Sequence, residues 1–459
     1  MQPRNPLLRE LLKLGRLALP LAAVQAGNAL LGVVDTAIVG RLGPVPLGAV
    51  GLGNGIFFTL STLGAGTMLG LDPLISQALG AGETERARRL LWQGAWLALA
   101  LTLLLSLPMG AAPFFLVQAG IEEGVARLAR DSALTRRTGP FPFLLFLGMR
   151  SYLQARGATR SLVVAMVLAN VFNVPGTFLL VFGGGGLPTW AGPLGALPPL
   201  GVVGAGIATN LCLLLQIAVL AIAVRRIEAP RVSRRPSRDE LSRAFRVGGP
   251  VGLQMTAEVA IFALVGLLAG RLGAGALAAH QISLSLASFS FTVAVGISSA
   301  ASVRVGLGIG AGDLPSVRRA GFLALVAGGG VMGMAGLAFL LFPGPLASLL
   351  TNDAETIAHA APLLTVAALF SVSDGVQAVG AGILRGAGDT RYAFLANLVG
   401  HWLVSLPLAL WLSGRLGVIG LWLGLSAGLT VVALALALRF RRLTSRPIQR
   451  LAPSGAPQA

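Results

Sequence analysis

Two stretches of this chain carry no charge over lengths that a soluble core rarely hides. They run from Leu90 to Val117 and from Leu162 to Val224. A third, Leu17 to Gly40, has a single charge at Asp35. A helix crosses the hydrocarbon of a bilayer with about 20 residues, so the first stretch is one crossing and the second is two with a Gly/Pro-rich connection. Only 11% of the 459 residues are charged, where a soluble chain carries about a quarter. Mean hydropathy is +0.80. The 62 glycines and 26 prolines suit membrane helices, in which small residues allow close backbones and proline allows bends. The succession of short alternating segments that a membrane β-barrel needs is missing from the sequence. The pattern predicts an all-α integral membrane protein.

The formal charge of +18 could suggest nucleic acid as a partner, but its distribution argues against one. Basic residues gather in Arg4 to Arg16, Arg86 to Arg89, Arg150 to Arg160, Arg225 to Arg246, Arg318 and Arg319, Arg385 to Arg391, and Arg439 to Arg450. These are alternate gaps between apolar runs. The other gaps hold mainly Arg41, Arg271 and Arg415, with Glu122, Glu123, Asp353 and Glu355. This is the positive-inside pattern, and it predicts an even number of crossings in the inner (plasma) membrane with both termini cytoplasmic. The first run is too long for a signal peptide and reads as a retained crossing. Cys212, the single cysteine, lies in an apolar run and excludes an internal disulfide.

Twelve crossings are expected, at residues 16–42, 46–79, 89–112, 124–152, 161–183, 201–225, 242–271, 276–309, 318–342, 355–384, 391–413 and 417–440. The chain also repeats itself. A shift of 230 takes Pro20 to Pro250, Gly40-Arg41-Leu42-Gly43 to Gly270-Arg271-Leu272-Gly273, Gly80-Ala81-Gly82 to Gly310-Ala311-Gly312, and Arg88-Arg89 to Arg318-Arg319. Later, Arg156-Gly157-Ala158 echoes Arg385-Gly386-Ala387. The expected organisation is an N-lobe at 1–226, a cytoplasmic linker at 227–241, a C-lobe at 242–442 and a tail at 443–459. Two pseudo-symmetric six-helix lobes inserted in the same sense suit alternating access with a site between them.

Four acids fall well inside the predicted crossings: Asp35, Asp72, Glu258 and Asp374. A charge there is costly, so each needs a partner, a proton or a cation. The repeat does not match them with one another, since Asp35 faces Val265, Glu258 faces Asn28 and Asp72 faces Ser302. Glu258 follows Arg246 and Asp374 precedes Arg385 by similar intervals, which places both roughly 16–18 Å from the cytoplasmic side. Two carboxylates at one depth in one lobe can share a proton or hold Na⁺, and either serves a coupled antiporter. The alternative is a pair of protonated acids bonded to neighbouring helices. Asp35 lies in the outer half, with Asn170, Asn173 and Thr209 as polar company. Interhelical hydrogen bonding and ion coupling are both open there. Asp72 precedes Pro73 and is expected to satisfy backbone groups freed by a bend.

These residues carry a family resemblance. Its pieces are Pro20 through Val34-Asp35-Thr36-Ala37 to Gly43, Leu71-Asp72-Pro73-Leu74-Ile75-Ser76-Gln77 to Gly82, and Gln154-Ala155-Arg156-Gly157. The second half adds Pro250 to Glu258, Ala279-His280-Gln281-Ile282, and Arg385-Gly386-Ala387-Gly388-Asp389-Thr390. In order and spacing they resemble the multidrug and toxic compound extrusion (MATE) family, in its NorM-type bacterial branch, over nearly the whole chain. The resemblance implies a monomeric twelve-helix antiporter without a cofactor, which expels small amphipathic, often cationic, compounds in exchange for Na⁺ or H⁺. It implies ion-coupling positions at Glu258 and Asp374 and at Asp35 with Asn170, Asn173 and Thr209, and binding positions at Gln281 and Phe370. The family position at Phe370 is often Tyr, and a Phe offers a cation no oxygen.

One feature bears on substrate charge. The fourth crossing carries Arg127, Arg130, Arg136 and Arg137. Arg127, Arg130 and Arg137 share a face. The stripe is either a solvated extension of the helix or the lining of an outward cleft that would favour anionic or zwitterionic compounds. The second case keeps a flippase of lipid-linked oligosaccharide as an alternative. A membrane enzyme would need clustered His and acidic residues at a membrane edge. His280, His359 and His401 show no metal spacing, and Gly183 to Gly186 lacks the Lys-Ser/Thr of a phosphate loop. The tryptophans Trp92, Trp96, Trp402, Trp411 and Trp422 read as helix-end anchors or lipid contacts.

Overall fold

Residues 6–118, 120–185 and 189–451 are described in the computed structural model, and all regular structure among them is helical. The linear order is α1 (Pro6–Gly40), α2 (Pro44–Met68), α3 (Leu71–Gly80), α4 (Thr84–Ala111), α5 (Glu123–Arg136), α6 (Pro140–Ala155), α7 (Thr159–Phe182) and α8 (Gly201–Arg226). The second half runs through α9 (Arg238–Arg271), α10 (Ala274–Gly310), α11 (Leu314–Leu341), α12 (Pro343–Ser348), α13 (Ala354–Ala387), α14 (Thr390–Leu398), α15 (Leu406–Leu416) and α16 (Val418–Leu443). Among the described residues, 11 helical segments are long and apolar enough to span a bilayer, with α2–α3 and α14–α15 each counted once. The broken helix α5–α6 is the counterpart of the remaining expected crossing, its two pieces of 14 and 16 residues each too short to span alone. Gly186 and residues 452–459 of the expected tail lie outside the described residues.

The repeat seen in the sequence recurs in the backbone. Gly43 and Gly273 open α2 and α10 with the same extended-ψ, positive-φ geometry, φ 112° and 117°. Gly82 and Gly312 turn at φ 78° and 69°, and Gly157 and Gly388 at φ 73° and 83°. These are left-handed positions where a Cβ would strain the chain. The symmetry fails at particular places. α10 is continuous where its counterpart is split into α2 and α3, because Pro73 has no N–H to continue the ladder through Leu69. α13 is continuous where α5 and α6 break before Pro140. Residues 399–405, between α14 and α15, form a wide π-turn that α7 lacks.

The lobes meet along a seam of small residues near the end that carries both termini. A Cβ on Gly66 would come within 2.5 Å of Gly252 Cα, and one on Gly70 within 2.5 Å of Gly248 Cα. The contacts are reciprocal under the repeat. Gly66 against Gly252 is matched by Gly296 against Ala22, and Gly80 against Leu307 by Gly310 against Gln77. Gly306 meets Ser76, its own counterpart, so this pair lies on the pseudo-two-fold axis. Toward the other end, Gly48, Gly51 and Gly55 of α2 have open space at their Cβ positions. The interlobe glycine contacts thus lie toward one end.

Among the interlobe ion pairs, two lie in the seam itself and do not obey the symmetry. Arg304 of α10 makes two 2.8 Å bonds to Glu10 of α1. Arg385 of α13 lies 3.7 Å from Asp72 of α3. The segment between α8 and α9 is held on α4, where Trp96 Nε1 donates to Arg234 O at 2.7 Å and Gln93 Nε2 to Arg235 O at 2.9 Å. Arg234 stacks on Trp92. These two tryptophans clamp the linker, a role the sequence reading did not assign them. Trp422, also read as an anchor, is fully buried in the C-lobe.

The seam predicts a sharp positional contrast. Gly248→Ala would drive a methyl into the Thr67 carbonyl, whereas Gly249→Ala meets only the Phe245 ring at 3.8 Å. Overpacking of this kind costs about 1–3 kcal/mol. Thermal unfolding in detergent should show a clearly lowered midpoint for Gly248→Ala and a midpoint near that of the unsubstituted protein for Gly249→Ala.

Candidate functional site

The N-lobe buries one carboxylate among neutral donors. Asp35 of α1, 4% exposed, takes bonds on Oδ1 from Asn173 Nδ2 at 2.9 Å and Thr177 Oγ1 at 3.2 Å, and on Oδ2 from Thr209 Oγ1 at 2.7 Å. Asn173 and Thr177 are one turn apart on α7, which puts both on the face toward α1. The Thr209 hydroxyl also lies 3.0 Å from the Ala205 carbonyl of its own helix. The structure thus brings Asn173 and Thr209 to Asp35 as expected. Asn170 is not there: its amide donates to the Gly27 and Met166 carbonyls at 3.2 and 3.0 Å, along the α1–α7 contact. Thr177 takes the place expected of it, and its spacing four residues after Asn173 was the available signal.

Beside this carboxylate lies one arginine of the stripe, and not one of the expected three. Arg127, Arg130 and Arg137 are exposed, with Arg130 over the Phe114 ring. Arg136 turns inward. Its guanidinium bonds to Asn54 Oδ1 of α2 and stacks over Phe57 at 4.9 Å. Arg136 ends α5 on the face opposite Arg127, and at the break that follows, Asn210 Nδ2 of α8 donates to the Thr135 carbonyl at 3.1 Å and to Thr138 Oγ1 at 3.0 Å.

The C-lobe concentrates acid. Glu258 of α9 accepts from Gln377 Nε2 of α13 at 3.1 Å. Asp374, 6% exposed, lies one turn before Gln377 on the same helix, on the side that Gln377 turns toward Glu258. The expectation that these two acids share one region holds. Gln377 Oε1 is buried beside them without a protein partner among the described residues, and the buried amide of Asn397, from α14, lies against Glu258. Neither Gln377 nor Asn397 was singled out in the sequence, although Gln377 stands three residues after Asp374. An aromatic wall closes the region. Phe370 packs edge-on against Phe262 with ring centroids 6.2 Å apart and lies 5.4 Å from Trp422. At 2% exposure, Phe370 is packed into that wall. Trp422 Nε1 donates to His280 Nδ1 at 3.2 Å. Gln281, the next residue, is exposed on another face of α10 and does not join the acids.

Asp72 does not cap the bend at Pro73. Its Oδ1 accepts from Gln154 Nε2 at 2.7 Å and its Oδ2 faces Arg385 across the seam. Gln77, one turn farther along α3, donates to the Gly386 carbonyl at 3.0 Å. The sequence showed the proline and not the arginine, which lies in the other half of the chain.

Comparisons with known proteins accord with this arrangement. The MatE family model matches residues 20–179 and 250–411, once in each lobe. A probable multidrug resistance protein NorM from Idiomarina loihiensis is 32% identical over 446 residues, covering 95% of this chain and 94% of that relative. Its counterpart from Bradyrhizobium diazoefficiens is 35% identical over 466 residues, with 97% and 96% covered. Among solved structures, the eukaryotic MATE transporter AtDTX14 superposes with a TM-score of 0.83 at 23% identity, over 98% of this chain and 100% of that one. A MATE P26A mutant gives 0.85 at 21% identity, with 96% and 97% covered. The chain belongs to the MatE family, a family of multi-pass membrane transporters and not of enzymes.

Proposed function

We propose that this protein is a secondary multidrug efflux antiporter that exports small amphipathic compounds in exchange for Na⁺ or H⁺ by alternating access. The observation that carries the reading is the acid pair Glu258 and Asp374, which has no cationic partner within ion-pair distance among the described residues. Two acids without a countercharge in a bilayer must hold a proton or attract a cation. Four groups can offer oxygen to such a cation: the two carboxylates, Gln377 Oε1 and Asn397 Oδ1. Phe370 offers none. Binding the cation or proton removes the repulsion between the acids, and the energy of that event is available to bias one arrangement of the lobes over another. Two curated relatives are named as probable multidrug resistance proteins, which supports drug-like cargo.

The basic turns place the end bearing the termini in the cytoplasm. The seam and its two ion pairs then close the inner side, and the cleft opens outward. In this reading Asp35 ties α1 to α7 and α8 within the N-lobe, through Asn173, Thr177 and Thr209.

Efflux of a fluorescent amphipathic cation from proteoliposomes, under a Na⁺ gradient and separately a pH gradient, tests the reading. Asp374→Asn and Glu258→Gln should each lower gradient-driven efflux about tenfold or more, and the gradient that works names the ion. Undiminished efflux from both variants would remove the acid pair from the coupling.

Arg136 bears on cargo charge, because a half-buried guanidinium in the N-lobe repels cations and attracts anions. Arg136→Gln should raise the ratio of cationic to anionic substrate transported by about fivefold, read as competing efflux rates of two dyes. An unchanged ratio would leave Arg136 as packing for α2.

A further inference from the structure

The tail after α16 crosses from the lobe that makes it to the other one. Its root is fixed at home, where Arg318 Nε of α11 donates to the Thr444 carbonyl at 2.8 Å. By Leu451 it lies on the N-lobe. The Leu451 N–H donates to Gln77 Oε1 at 2.7 Å, and the Leu451 carbonyl accepts from Arg86 Nη2 at 2.8 Å. Arg450 pairs with Glu83 at 3.2 Å. The linker after α8, the counterpart of this tail in the repeat, stays on α4 of its own lobe.

The docking point lies directly against the seam. Gln77 binds Leu451 with its oxygen and the Gly386 carbonyl of the C-lobe with its nitrogen. The Leu451 side chain covers Gly388, where a Cβ would approach it to 3.0 Å. Gly388 turns the chain at φ 83° just beyond Arg385, the seam arginine opposite Asp72. One N-lobe amide therefore holds the C-lobe twice, once at its core and once at its tail. If the seam parts, the Gln77–Gly386 bond must break, and the tail must leave Gln77 and Arg86 or stretch across the gap.

We infer that residues 446–451 form a strap that holds the cytoplasmic seam closed and sets how often it opens. This rests on the reading that the seam opens during transport. The contacts are of releasable strength. Arg450 and Glu83 are 47% and 29% exposed in their side chains, so solvent weakens their attraction. The two backbone bonds exchange readily with bonds to water. Such a strap shifts the population of open seams and does not lock them.

The test reads seam opening directly. Ser76 is fully buried on the pseudo-two-fold axis, so Ser76→Cys with Cys212→Ala reports each opening by reaction with a membrane-impermeant maleimide from the cytoplasmic side. Two forms are compared with the full chain: one lacking residues 446–459, and Leu451→Pro, which keeps the tail but removes the N–H that binds Gln77 and the side chain that covers Gly388. Both should react about fivefold faster or more, with an unchanged unfolding midpoint showing that the fold is intact. If Leu451→Pro reacts at the rate of the full chain, the strap does not hold the seam and the inference fails, whatever the truncation does. Gradient-driven efflux measured on the same membranes stands apart: its absence in the full chain would remove the antiport reading and leave the labelling comparison valid.

Discussion

Hydrocarbon offers no hydrogen bonds, and every polar group in this protein is placed by that fact. The three membrane-buried carboxylate sites answer it in different ways. Asp35 is satisfied locally by Asn173, Thr177 and Thr209. Asp72 is satisfied across the lobes, by Arg385 as well as Gln154. Glu258 has the Gln377 and Asn397 amides and a second acid for company. Each answer carries a different capacity. A locally satisfied carboxylate has little reason to change its state. One satisfied across a seam changes only when the lobes move. One that lies beside a second acid can change with what it binds, which is why the coupling role we propose is given to the C-lobe.

The sequence was most readable where physics acts over short spans. Apolar stretches of about twenty residues mark the crossings whatever surrounds them, and eleven of the twelve expected crossings appear as long apolar helical segments. The repeat was equally plain, because Gly43 and Gly273 or Gly82 and Gly312 need the same left-handed backbone in both halves. The gathering of Asn173 and Thr209 at Asp35, and of Asp374 at Glu258, followed from the crossings and their depths.

What stayed hidden depends on contacts between distant segments. Counting residues around a helix puts Arg127, Arg130 and Arg137 together and Arg136 on the opposite face, but which face turns inward depends on Asn54 and Phe57 of α2. Asn170 shares a helix face with Asn173, but Gly27 of α1 passes close enough to take its amide. Trp422 sits near a helix end in the sequence and is buried because His280 waits for its N–H. Arg304 and Glu10 drew no notice and the tail was expected only as a cytoplasmic end, since a charge near a helix end is ordinary until its partner is known.

The seam between the lobes has a further meaning. Gly80 meets Leu307 while Gly310 meets Gln77, Gly66 meets Gly252 while Gly296 meets Ala22, and Ser76 meets its own counterpart at Gly306. This reciprocity is the signature of an isologous contact, the surface that two identical chains share in a symmetric dimer. A six-helix chain carrying one copy of that surface could pair with itself, and joining the copies end to end would turn the dimer into a single polypeptide. The ion pairs, which break the symmetry, are features that only the fused chain can have.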